Sequence, residues 1–166
     1  EMHFFSLQEE ALLTINLLLG YYTDGLATQE LAAPILAELP ACPASFAFEA
    51  QRLAHLSQIT GIPSVVVALE ILPRAVADDI SLQLARMKRG LDENWLLIGP
   101  EKQVLATLMP LGDYSTAEGY IARLETWAQQ KSGLSLAELG LFPHTLLLDD
   151  SPPGGLLKRI QQLAHA

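Results

Sequence analysis

Few residues in this chain could do chemistry, and the richest group is in FPHTLLLDDSPPGG, where His144 precedes the carboxylate pair Asp149 and Asp150. An extended segment ending in carboxylates beside a flexible loop is a common setting for acid–base catalysis. A turn ahead of a final helix accounts for Asp150 and Ser151 more simply, and His144 then reads as a partly exposed loop residue. His3, His55, His144 and His165 are scattered without ligand spacing, so no metal site is expected. GLSLA at 133–137 has the outline of a nucleophile elbow but ends in alanine and follows polar residues, and helix capping by Ser135 explains it better. Apart from Gly154-Gly155 the glycines are isolated, which leaves no phosphate-binding fingerprint and implies no cofactor.

One further motif is RGLD at 89–92. Its arginine-to-aspartate spacing is used in cyclic-dinucleotide inhibitory sites, where arginine binds phosphate and guanine. Four-letter patterns with two fixed positions are common, and the end of a helix at Gly90 is the simpler reading.

Bulk properties narrow the function classes. A chain of 166 residues can bury a full core as one domain, and half of its residues are hydrophobic against 17% charged. The net charge is −9, and seven acids precede the first basic residue, Arg52. Nucleic-acid binding needs clustered Lys and Arg, and the basic knots here are only Arg86, Lys88, Arg89 and the pair Lys158, Arg159. A single cysteine, Cys42, allows no internal disulfide and suits a cytoplasmic protein. The apolar run ALLTINLLLG follows two glutamates and is too short and too interrupted for a signal peptide or a membrane span. Glu1 ahead of Met2 reads as a remnant of expression, with the natural start at Met2.

Helices dominate the expected elements. Ser6/Glu9, Ser115/Glu118 and Ser135/Glu138 each fit the S-x-x-E capping box. Apolar spacing predicts helices over 7–24, 28–39, 46–60, 74–89 and 115–130, a short one at 135–139 and a final one after DDSPPGG. Two segments are open to either reading. The run Val65–Val67 could be a strand, and 94–110 is either a hairpin turning at Gly99-Pro100 or a helix beginning at Pro100, with Val104, Leu105 and Leu108 favouring the helix. HTLLL at 144–148 could be extended.

GDYSTAEGYIARLE resembles the second half of a tetratricopeptide repeat, through Gly112, Asp113, Tyr114, Ala117 and Ile121. LLLGYYTDG resembles the close of a repeat's first helix, with Tyr21 and Tyr22 before Gly25. The turn glycines Gly25, Gly61 and Gly112 are unevenly spaced, Leu105 and Leu124 stand where small residues belong, and Pro34 interrupts the first unit. The order of the first hundred residues is faintly similar to the small helical-repeat chaperones of bacterial type III secretion, through EAQRLAHLSQITG and DDISLQLARMKRGL.

The resemblance implies a mainly α fold of stacked antiparallel helix pairs, with room for one short hairpin or extended segment in the C-terminal half. A single domain over 1–166 is expected, divided into helix pairs over 2–98 and a pair plus terminal helix over 99–166. The expected function is a non-catalytic adaptor or chaperone that offers an apolar groove with an acidic rim to a helix or extended segment of another protein. Phe4, Phe5, Tyr21, Tyr22, Tyr114 and Trp127 are its candidate contact residues, although Trp127 and Trp95 suit core anchors as well. Two alternatives stand beside it: a small α/β enzyme using Asp149 and Asp150, with strands at 64–71, 94–99 and 144–148, and a ligand-binding regulatory domain.

Overall fold

The structure is a computed structural model that describes residues 11–16, 19, 30–76, 79–149 and 151–166. Its centre is a four-stranded antiparallel sheet in the order β2-β3-β1-β4, formed by β1 (Ser64–Ile71), β2 (Glu93–Ile98), β3 (Gln103–Met109) and β4 (Leu141–Leu148). The expected superhelix of stacked helix pairs is therefore wrong, and the chain is a mixed α/β protein. β1 pairs with β3 and β4, and β2 pairs with β3, so β1 and β2 run parallel on either side of β3. Helices join β1 to β2 and β3 to β4 while a hairpin joins β2 to β3, giving the β-α-β-β-α-β order of a split crossover fold.

Helices cover both faces. On one lie α1 (30–38), α2 (Ala44–Thr60) and α7 (Pro153–His165), packed on Val66, Ala68, Trp95, Leu97, Val104 and Leu146. On the other lie α3 (Pro73–Val76), α4 (Ile80–Ala85), α5 (Tyr114–Ser132) and α6 (Leu136–Leu139), packed on Val65, Val67, Leu69, Leu105 and Met109. This double cover explains the sequence of β1, SVVVALEI. A central strand buried on both faces reads as a continuous apolar run without alternation.

The corrections follow from the same cause. VLATLM belongs to β3, whose neighbours leave Val104 and Leu105 on opposite faces, so the hairpin reading of 94–110 holds and the helix from Pro100 does not. The turn glycine Gly99 sits against α7, where an added Cβ would fall 1.8 Å from the Ala164 carbonyl oxygen. GDYSTAEGYIARLE is one capped helix lying on a sheet. Asp113, not Ser115, is its N-cap, accepting from the Thr116 amide while the Thr116 hydroxyl accepts from the Asp113 amide. Ala117 does allow close approach, but to the sheet and not to a second helix. The Ser135/Glu138 box is present as expected and starts α6. Ser6/Glu9 lies outside the described residues. The segment expected as one helix over 74–89 is broken into α3 and α4, with Asp79 between them at φ 52°.

Candidate ligand site

Seven residues, Arg86 to Asp92, join α4 to β2. Asp92, at 3% exposure, turns its carboxylate back into the loop, where Oδ2 accepts from the Arg89 amide at 2.7 Å. The Asp92 amide returns a bond to the Arg89 carbonyl at 3.1 Å, and Lys88 Nζ donates to the Asp92 carbonyl at 2.9 Å. Three bonds across the five residues 88–92 hold a tight turn whose outer side presents Arg89, Gly90 and Leu91 to solvent. A carboxylate closing its own loop onto a backbone amide is a strong, charge-assisted brace.

Behind this turn stands α5. Tyr120, 2% exposed, carries the Arg123 guanidinium over its ring at 5.5 Å from the centroid. Burial pushes the Tyr120 hydroxyl above its usual range; its hydrogen-bond contact with Thr107 opposes this, the Asp92 carboxylate adds to it, and the Arg123 charge opposes it. Asp92 of the turn and Arg123 of α5 thus both act on the Tyr120 hydroxyl. Arg86, Arg89 and Arg123 are exposed and join none of the ion pairs among the described residues. In a chain of net charge −9, Arg86, Lys88 and Arg89 make a local basic cluster, and Arg123 is a further exposed cation on α5.

The other sequence candidates do not assemble. Phe4, Phe5, Tyr21, Tyr22 and Asp150 lie outside the described residues. Tyr114 is 56% exposed at the start of α5, whereas Trp127 is half-buried against the sheet with Lys131 Nζ 5.1 Å from its ring centroid. Thirteen residues of helix set the two rings about 20 Å apart along the axis, so they do not line a common groove. His144 meets Glu70, not Asp149. Its Nε2 lies 3.1 Å from Glu70 Oε2 while Lys102 Nζ binds Glu70 Oε1 at 2.9 Å, tying β1, the β2–β3 hairpin and β4 together. Asp149, five residues past His144 and about 16 Å along an extended chain, accepts from the Ser151 amide and closes a turn. Its pKa is lowered by hydrogen bonds from Ser151. Cys42 is buried, and burial pushes its thiol up to about 12, which makes it unreactive. No group of three or more His, Cys, Asp or Glu able to hold a metal exists among the described residues. Nor, among those residues, is any helix long and apolar enough to cross a membrane.

Sequence reasoning did not single out Arg123, which α5 carries over the ring of Tyr120, whose hydroxyl meets Thr107 of β3.

The comparisons agree with this architecture. A family model described as the PelD GGDEF domain matches residues 40–162. Among curated proteins there is no match. Among solved structures, PelD 158-CT from Pseudomonas aeruginosa PAO1 is similar at 21% identity and a TM-score of 0.60, covering 70% of this chain and 42% of that one. The same protein in complex with c-di-GMP matches at 22% identity and a TM-score of 0.60, again over 70% of this chain and 42% of that one. PelD 156-455 from Pseudomonas aeruginosa PA14 in complex with c-di-GMP matches at 22% and 0.59, over 70% of this chain and 43% of that one. The present chain thus corresponds to less than half the length of these proteins. A family match across most of an α/β chain overturns the tetratricopeptide and type III secretion resemblances, and the adaptor or chaperone function that rested on them. By its sequence match and its sheet topology, the chain belongs to the PelD GGDEF domain family.

Proposed function

We propose that this domain is a non-catalytic receptor that binds c-di-GMP at the Arg89–Asp92 turn, with Arg123 supplying a second cation. The observation that carries the reading is the braced turn itself: a buried Asp92 carboxylate fixes the backbone of Arg89 and leaves its guanidinium unpaired in solvent. Guanidinium groups suit this ligand twice over, because they grip phosphate in a bidentate fork and pair with the O6 and N7 edge of guanine. Relatives of the same family have been solved with c-di-GMP, which supports the choice of ligand.

The absence of turnover is part of the proposal. The β2–β3 hairpin reads Gly99-Pro100-Glu101-Lys102, and the five residues Gly-Gly-Asp-Glu-Phe that spell the family's name occur nowhere in the chain. Lys102 there is engaged with Glu70, which favours a structural role for the hairpin. The reading belongs with a cytoplasmic location, where a lone thiol such as Cys42 stays reduced.

Isothermal titration with c-di-GMP tests it. Wild-type protein is expected to bind, and Arg89→Ala to weaken binding by about tenfold to a hundredfold, the loss of a charged hydrogen-bond donor. Equal affinity in the two proteins would reject Arg89 as the contact.

A further inference from the structure

We infer that Tyr120, Thr107 and Asn94 form a buried positioning network that sets the Arg89–Asp92 turn against Arg123. The inference rests on the ligand reading above and assigns these three side chains a role in it.

The geometry has one direction. Asn94 Nδ2 donates to the carbonyl of Ala85 at 2.9 Å, and Ala85 is the last residue of α4. That carbonyl is one of those a helix end leaves without an internal partner. Asn94 thereby pins together the two ends of the segment that contains the whole turn. Its Oδ1 accepts from Thr107 Oγ1 at 3.0 Å, and the two residues sit directly opposite in the β2–β3 register. Thr107 has one proton, already given to Asn94, so the 3.4 Å contact with Tyr120 is made by the Tyr120 hydroxyl donating to Thr107. Tyr120 is one helical turn before Arg123, whose guanidinium lies over its ring. The path therefore runs from the base of the turn, across two strands, to the helix that carries the second arginine.

Packing does not require these hydroxyls. Thr107 is 1% exposed among Leu105, Met109 and the apolar side of α5, where a valine of the same shape would fill the space. Buried polar groups in such a place act through direction, since each is costly unless its partner is present.

The test compares Thr107→Val, which keeps the shape, with Thr107→Ser, which keeps the hydroxyl. Hydrogen exchange is followed over residues 86–95, and c-di-GMP affinity is measured by titration. Valine is expected to speed exchange in the turn and to weaken binding about fivefold, with serine restoring both. Tyr120→Phe serves as a second variant: it is expected to weaken binding and to make a further Arg123→Ala change less costly than in the wild type. If valine leaves both readouts unchanged, or serine is the more damaging, the network is overturned while the ligand site stands. Wild-type protein that binds no c-di-GMP overturns the ligand reading and the network's role in binding with it, and unchanged exchange in the valine variant then also removes its hold on the turn.

Discussion

Asp92 shows how one side chain can shape a site that another side chain serves. Its carboxylate is turned inward to the Arg89 amide, so the arginine is presented by a rigid backbone and not by its own side-chain packing. Asp92→Asn retains an acceptor oxygen and is expected to hold most of the affinity for c-di-GMP, whereas Asp92→Ala leaves a buried amide unpaired and loses about tenfold or more, measured by titration. A second residue-level expectation concerns Glu70. Burial raises its pKa, but hydrogen bonds from Lys102 and His144 and their charges outweigh this and bring it below the usual carboxylate range. A carboxyl depressed in the folded state contributes stability above its unfolded pKa and loses it as pH falls through the folded value. Melting temperature should therefore drop more steeply below about pH 4.5 in the wild type than in Glu70→Gln.

At the scale of elements, the hairpin and α7 are fitted to each other through Gly99, where a methyl group would meet the Ala164 carbonyl. Gly99→Ala is expected to cost about 1–3 kcal/mol in denaturant unfolding, because either the hairpin or the end of α7 must move. Asp113→Ala removes the cap of α5 and should cost about 1 kcal/mol. Elements with a solvent face were legible in the sequence: α2, α5, the box before α6 and α7 all carry a helical stripe or a cap close to where it was read. The strands were legible only as alternatives: 64–71, 94–99 and 144–148 fall on β1, β2 and β4, but β1 and β3 are buried on both sides and lack the alternation of a half-exposed strand, and leucines at 105 and 108 imitate helical spacing. With the sheet missing, Gly112-Asp113-Tyr114 looked like a repeat junction, and RGLD looked like a helix end, which in part it is. The turn does follow a helix, but its proposed role depends on Asn94 and on α5, through contacts that join positions 9 and 13 residues apart.

Across the whole molecule, the proposed site sets exposed arginines on an acidic protein. Charges of the surrounding surface repel an anionic dinucleotide at long range while the arginines attract it at the turn, so the affinity should come mainly from contacts close to Arg89 and Arg123. Salt screens charges farther apart than about 8–10 Å at moderate ionic strength, so it removes the long-range repulsion before the contacts at the arginines, and affinity should fall only shallowly as salt is raised. The most direct measurement of the central claim is the amide spectrum of the 15N-labelled domain titrated with c-di-GMP. Saturable shifts centred on residues 86–94 and on α5 around Arg123 are the predicted result; no shifts, or shifts confined to the Gly99–Lys102 hairpin, would contradict it.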